Sequence, residues 1–262
     1  MSANPDAEHY PPRLIAMLES VWGQGFLSPG GAEEVARIVG AHDLTAKSVL
    51  DIGCGAGGID IALVRNHSAG YVVGLDVEDA VLTHARALIA DASLSGRIGL
   101  VKVAPGPLPF PPQCFDVVFS KDSIIHIPDK HALMRQVCRV LRPGGWFIAS
   151  DWLIGTDGPP SPEMAAYIAA EGLDFGMASP ARYRDAMAQA GFAAVQTVSR
   201  NAWYREQARV ELARLQGDAG AAAARIVGAD FVAQNIAIWS RMIPVLDSGE
   251  HCPTHLFAQK PL

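Results

Sequence analysis

An apolar run, Val49-Leu50-Asp51-Ile52, ends in Gly53-Cys54-Gly55-Ala56-Gly57-Gly58, and a helical pattern follows. Glycine lets a backbone turn tightly, adopt positive φ and come close to a ligand. The spacing Gly53-x-Gly55-x-x-Gly58 meets the dinucleotide fingerprint, a weak signal by itself. Asp76 ends the next apolar run, where a carboxylate can accept hydrogen bonds from both hydroxyls of a ribose. Asp51 lies inside the first strand end, and a buried carboxylate needs a cationic or donor-rich partner. It suits the amino group of a bound amino-acid moiety, held directly or through water, and would sit poorly beside a pyrophosphate. That placement counts against a nicotinamide dehydrogenase. So do Phe115–Ser120, which follows the proline-rich 105–112 loop, and Leu141-Arg142-Pro143-Gly144-Gly145 before a later strand.

These residues need a frame of alternating strands and helices. The pattern predicts strands over 48–52, 71–75, 98–103, 115–120 and 146–152, with helices over 59–65, 80–90 and 130–141 between them. Such alternation implies βαβ units and a parallel sheet with right-handed crossovers. Before it, Leu14, Met17, Leu18 and Val21 have helical spacing, the glycine-rich loop 23–31 follows, and 33–39 reads as a helix. After it come helices over 164–171 and 181–190, a sixth strand over 194–199, a mostly helical stretch over 203–243 and a last strand over 255–260. The late helices form an insertion before the last strand, expected to cover the end of the sheet where ligands of open α/β folds bind.

Composition bounds the rest. The chain has 262 residues, half of them apolar and 18 % charged, which excludes a disordered chain. Its net charge of −6, with no Lys/Arg run, points away from nucleic acid and anionic membranes and toward a small-molecule partner. Cys54, Cys114, Cys138 and Cys252 are scattered, with neither C-x-x-C pairing nor metal-ligand spacing, so reduced thiols, a cytoplasmic location and no metal are expected. Residues 1–12 are polar and proline-bearing and do not read as a secretory signal, and no apolar run is long enough for a membrane helix.

Taken together, the glycine loop, Asp76 and the Leu141–Gly145 turn resemble the class I S-adenosylmethionine-dependent methyltransferases over roughly residues 46–152. The resemblance implies a Rossmann-like seven-stranded sheet whose last strand is antiparallel, S-adenosyl-L-methionine as cofactor and S-adenosyl-L-homocysteine as product. Two more stretches narrow it. Residues 21–31 resemble the N-terminal cofactor-covering segment of phosphoethanolamine N-methyltransferases, and Ser120-Lys121-Asp122-Ser123-Ile124-Ile125-His126 resembles their segment after strand four. By that resemblance Tyr10 pairs with His126 as the catalytic couple and Asp122 sits near the amine. Ser28 meets the cofactor carboxylate, while Gly53, Gly55, Asp76, Val77 and Ser120 line the cofactor. The chemistry agrees: an amine must lose a proton to become a nucleophile, and a histidine titrates in the right range. The plainer alternatives are a structural His126, a Tyr10 in a loose terminus and an Asp122 that caps the following turn.

The sequence also departs from that family. Of its phosphate clamp of Tyr, Arg, Tyr and Lys, only Tyr167 matches, as a substrate-binding residue. Glu171 falls at the Arg position, Leu173 near the second Tyr and Pro244 near the Lys, and residues 160–180 hold no Arg or Lys. A carboxylate there repels a phosphate dianion, unless Arg182, Arg205 or Arg241 rebuilds an anion site. Trp152 replaces the family's strand-five tyrosine, and with Trp203 in the lid it offers an aromatic face to a methylated ammonium. Tyr204 and Trp239 are further lid aromatics. Ala104 stands where an adenine-binding carboxylate is expected, which leaves the adenine to a backbone carbonyl or water.

One methyltransferase domain over 1–262 is therefore expected. It would have a cap segment over 1–45, a cofactor-binding core over 46–200, a helical lid over 201–250 and the last strand within 251–262. The expected reaction is methyl transfer to the nitrogen of a small amine or amino-acid-like metabolite. The alternatives are an O-, C- or S-methyltransferase of a small natural product, favoured by the apolar lid residues Phe231, Ile236, Ile238 and Met242, and a non-catalytic S-adenosylmethionine-binding protein. Cap and lid can close the site within one chain, so a monomer is compatible with the sequence.

Overall fold

Val49 packs on one face of the central sheet and Leu50 on the other, as do Val117 and Val118, and Ile148 and Phe147. Strands buried on both faces read as continuous apolar runs, which is why they were legible. A computed structural model describes residues 10–173 and 175–262; residues 1–9, most of the stretch read as lacking a secretory signal, lie outside the described residues. Chain order runs α1 (Pro12–Trp22), α2 (Gly31–Val39), β1 (Ser48–Ile52), α3 (Gly58–His67), β2 (Tyr71–Asp76), α4 (Asp79–Asp91), β3 (Ile98–Lys102) and β4 (Phe115–Lys121). A 3₁₀ turn over Ile124–His126 follows, then α5 (Lys130–Val140), β5 (Leu141–Ile154), α6 (Pro162–Glu171), α7 (Pro180–Gln189) and β6 (Ala193–Ser199). The chain closes with α8 (Asn201–Gln216), α9 (Asp218–Val227), α10 (Ala229–Asp247) and β7 (His251–Gln259).

The seven strands form one sheet in the order β3-β2-β1-β4-β5-β7-β6. Pairings among the first five are parallel, and β7 runs antiparallel to both β5 and β6. One face is covered by α5 and α7 through Leu133, Met134, Val137 and Tyr183. The other is covered by α2, α3 and α4 through Val35, Ile38, Leu63 and Ala85. A third apolar cluster joins α1, α6, α8 and α10, with Met17, Tyr167, Tyr204 and Met242 at its centre.

Serine–proline pairs start two of these helices. Ser161 accepts from the Met164 amide (3.1 Å) and Ser179 from the Arg182 amide (3.0 Å), each followed by proline. A cap of this kind contributes about 1 kcal/mol. The last two paired strands exceed their expected lengths, since β7 starts at His251 rather than 255 and β5 reaches Ile154 rather than 152. Pro253 reads as a strand breaker, yet it lies opposite Trp152 and uses its carbonyl to accept from the Arg200 amide (2.7 Å).

The loop after α1 is clamped onto the loop after β1. The Gly58 amide donates to the Gly25 carbonyl (3.0 Å), and the Gly25 amide donates to Glu19 Oε1 (2.6 Å). A Cβ on Gly25 would stand 2.7 Å from Gly58 Cα at a φ of +82°. From the far side, Glu34 on α2 takes Arg200 Nε and Nη2 at 2.8 Å each and His255 Nε2 at 2.8 Å. Against the cost of burial, these bonds from His255 and Arg200 hold its carboxyl down to about 2. Gly25→Ala is therefore expected to cost about 1–3 kcal/mol. Hydrogen exchange should show faster amides across 12–31 while β1 and β4 keep their protection; an unchanged pattern would disprove the clamp.

Candidate active site

At the end of β1, Gly53 has φ +74°, and a Cβ there would lie 2.3 Å from the Ser123 Cβ. Ser123 Oγ instead donates to the Gly53 carbonyl (2.9 Å), which brings the segment after β4 against the loop. Leu27 from the N-terminal segment covers Gly55. Asp76 accepts from the Gly55 amide on one oxygen and the Glu78 amide on the other, both at 3.1 Å. Burial still moves its carboxyl up, and each oxygen keeps a lone pair for a further donor. Val77, just beyond, is exposed, as is Ala104 past β3.

Asp51 is wholly buried and faces Asp60 of α3. Among the described residues none of the four oxygens meets a donor, so a proton must bridge the two carboxyls. Burial pushes Asp51 up to about 7 and Asp60 well above the carboxylate range. Gly74 of β2 makes room, since a Cβ there would sit 2.5 Å from Asp60 Oδ2. Ser120 is turned to the sheet: its hydroxyl donates to the Ile52 carbonyl (2.8 Å) at full burial.

Above the strand ends lies a cavity of about 140 Å³ whose wall includes Tyr10, Ser28, Asp122, His126 and Trp152. Lys121, at the end of β4, is buried beneath it and donates to Ser28 Oγ (2.5 Å) and Asp122 Oδ2 (2.9 Å). Ser28 thus accepts from the lysine and keeps its own proton for an anion. Asp122 also accepts from Ser150 Oγ (2.8 Å) and holds a left-handed backbone, φ +55°.

The turn carrying His126 is pinned from two sides. The Ile125 amide donates to Asp151 Oδ1 (3.0 Å), and Lys130 Nζ donates to the carbonyls of Ile124 (2.7 Å) and Ile127 (2.6 Å). Asp151 also bonds the Tyr183 hydroxyl, and burial pushes it up to about 7 against the pull of Lys130. His126 Nδ1 lies 2.9 Å from the Leu173 carbonyl, which can only accept. In its neutral form the ring therefore donates from Nδ1, which makes Nε2 its basic nitrogen. Burial and the charges of Asp76, Glu171, Glu78 and Asp122 raise Tyr10, so it stays a phenol.

Three sets of expected substrate contacts stand off this cavity. Trp203 does not line the cavity: it packs against Tyr204 and Gly30, and the Arg200 guanidinium covers its ring at 4.7 Å. Tyr167 lies wholly buried behind the wall, its hydroxyl against Met242 Sδ (3.5 Å) and the carboxyl of Glu171, which does line the cavity. Arg182, Arg205 and Arg241 are not on the wall either; Arg205 pairs with Asp247. Trp239, in contrast, joins the wall, and its indole and that of Trp22 both donate to the buried Glu211 (3.1 and 2.8 Å).

Sequence reasoning missed Lys121, Asp60 and His251. Lys121 stood beside Asp122 in the quoted segment, so a lysine on a buried strand was the available signal. His251 is wholly buried with neither ring nitrogen bonded among the described residues, 5.4 Å from Trp152 and 5.5 Å from Tyr167 between ring centroids. Burial pushes it down to about 3, so it stays neutral.

Residues 50–149 match the family described as a methyltransferase domain. A phosphoethanolamine N-methyltransferase from Triticum aestivum is 34 % identical over 203 residues, covering 77 % of this chain and 39 % of its own length. A sterol 24-C-methyltransferase from Aspergillus fumigatus is 34 % identical over 117 residues, 44 % of this chain and 31 % of its own. The chain thus spans well under half of these curated relatives. The structure of Haemonchus contortus phosphoethanolamine N-methyltransferase 2 with phosphomonomethylethanolamine and S-adenosylhomocysteine superposes with a TM-score of 0.84 at 23 % identity, over 95 % of this chain and 57 % of that one. The fold is that of the class I methyltransferases, as the sheet order requires.

The buried acid pair makes stability depend on pH. Asp51 and Asp60 keep a proton in the folded state that the unfolded chain releases near pH 4, so they cost stability as pH rises toward about 7. Asp60→Asn should gain stability over the wild type across pH 4 to 7, by up to ~1.4 kcal/mol per pH unit. Urea unfolding at several pH values measures it; a difference independent of pH would remove the shared proton.

Proposed function

We propose, on the premise that this chain carries a class I methyltransferase domain, that it transfers a methyl group from S-adenosylmethionine to the nitrogen of a small amine. The observation that carries the reading is His126, pinned at Nδ1 by the Leu173 carbonyl and set on the same wall as Asp122. The residues present fit the cofactor. Asp76 keeps lone pairs for two ribose hydroxyls, Ser28 keeps a proton for a carboxylate, and the donorless carboxyls of Asp51 and Asp60 beneath the loop favour a nearby ammonium. The glycines at 53 and 55 leave the backbone bare beside it. When bound, S-adenosylmethionine supplies an electrophilic methyl on a sulfonium and leaves as S-adenosylhomocysteine.

The chain's own groups position and deprotonate. Asp122 accepts a hydrogen bond from the substrate ammonium and is itself fixed by Lys121 and Ser150. His126 Nε2 takes the proton that frees the nitrogen's lone pair. Tyr10 donates from its phenol and closes the cavity from the N-terminal side. Alignment of a nucleophile with a methyl group is mostly a matter of positioning, so a rigid wall suffices for much of the rate.

A second reading, methyl transfer to oxygen, carbon or sulfur, is favoured by the apolar wall residues Leu14, Leu18, Phe231, Ile238 and Met242. The test offers the protein S-adenosylmethionine with a deuterated methyl and a pool of small metabolites, read by mass spectrometry. A labelled amine supports the first reading; a labelled phenol or carbon skeleton supports the second. Cofactor binding with no label on any compound would favour a non-catalytic binding protein. His126→Ala should lower turnover of the labelled amine by roughly 10²–10³-fold and leave S-adenosylhomocysteine affinity within about twofold, since the ring sits on the substrate wall. Unchanged turnover would remove His126 from the mechanism.

A further inference from the structure

The charge of the cavity also bears on the far end of the acceptor. Among the described residues no lysine or arginine lines it, and its charged side chains are Asp122 and Glu171. The two come from different elements and differ in one respect. Asp122 follows β4 and is matched by Lys121. Glu171 ends α6, interacts with the Tyr167 hydroxyl, and pairs with no cation among the described residues. Burial pushes its carboxyl up to about 7. The same wall carries Trp152 and Phe175, edge to face with centroids 6.0 Å apart, and Phe175 meets the His126 ring at 5.6 Å.

A buried carboxyl without a cation keeps a proton or takes an ammonium. Aromatic faces attract an ammonium and offer nothing to an anion. A phosphate dianion on this wall would meet the carboxyls of Asp122 and Glu171, and the one nearby ammonium, that of Lys121, is already matched by Asp122. A monoamine held at Asp122 would leave Glu171 unmatched.

We propose that the acceptor carries two basic nitrogens, one presented to Asp122 and His126 and the other held by Glu171 against Trp152 and Phe175. Glu171 is then a specificity-determining residue, and phosphorylated amines are excluded. The inference rests on the proposed transfer to an amine nitrogen. The groups that face Glu171 are Tyr167 on its own helix, Tyr204 of α8 and Tyr10, with Asp122 and His126 across the cavity. The three tyrosines are all raised by burial and stay neutral near pH 7, so ionisation of Glu171 is the event that a dication captures.

Calorimetry tests this with 1,3-diaminopropane, 3-amino-1-propanol and phosphoethanolamine, each titrated with and without S-adenosylhomocysteine. The diamine should bind at least about tenfold more tightly than the amino alcohol, as one matched buried charge implies. Its affinity should rise between pH 6 and 8, while both its amines remain protonated. Glu171→Gln should erase the preference and the pH rise, and leave the amino alcohol within about twofold. Equal binding of diamine and amino alcohol, a preference that survives Glu171→Gln, or phosphoethanolamine as the tightest ligand would each overturn the proposal. If S-adenosylhomocysteine binds in those cases, the proposed function stands without this refinement; if it does not bind, both fall. The wild-type pH profile carries the test even if the variant folds poorly.

Discussion

Carboxyls converge at one edge of this sheet, and the site is built around the cost of burying them. Parallel strands end together, about 4.8 Å apart, so Asp51, Asp76, Asp122 and Asp151 come from the ends of β1, β2, β4 and β5. Taking such charges out of water costs several kcal/mol each unless they are matched or neutralised. Each is handled differently. Asp51 keeps a proton with Asp60, Asp76 takes backbone amides, Asp122 takes Lys121, and Asp151 takes the Ile125 amide and Tyr183 near the charge of Lys130. The functional geometry follows from those solutions. Asp151 and Lys130 each bond the turn of His126, and Lys121 orients both Ser28 and Asp122.

Lys121 also links the sheet to the segment that covers it. Because its ammonium bonds Ser28, docking of the N-terminal loop adds a hydrogen bond to the buried Lys121–Asp122 pair as well as an apolar contact. The Gly25–Gly58 contact sets how closely that loop lies, and Glu34 ties α2 to the start of α8 through Arg200 and to β7 through His255. Cover, sheet and late helices thus meet through charged groups with fixed partners. An arrangement of this kind has a defined closed position, which positioning catalysis needs.

Much of this was legible in the sequence. The strands were, because burial on both faces leaves unbroken apolar runs. The glycine loop and Asp76 were, because close backbone approach restricts residue type. Tyr10, Ser28, Asp122, His126 and Trp152, drawn from distant segments, do share one cavity. What was hidden depends on tertiary contact. Nothing in the sequence marks Gly25 as the partner of Gly58, or Asp60 as the partner of Asp51. Trp203 and Trp152 look alike as lid aromatics, yet one ring is covered by Arg200 and the other faces the cavity. Glu171 was legible as a mismatch with a phosphate clamp, but its burial and its contact with Tyr167 were not.

An acidic cavity poses a chemical difficulty for an amine acceptor. Carboxylates that hold an ammonium also raise its pKa and make its lone pair harder to free. The methylated product is still an amine, so the same wall holds substrate and product about equally, and such uniform binding does not raise turnover. Acceleration must come from a group that acts on the proton and not on the charge. In the proposed reaction His126 would meet that need by its place at the exposed rim, where a proton taken at Nε2 can pass to water. Tyr10, raised by burial, cannot compete for that proton as a base at neutral pH. On the proposed transfer to nitrogen, recognition and deprotonation would be divided between the buried wall and the rim, and the Nδ1 contact with Leu173 would hold His126 in place for the second task.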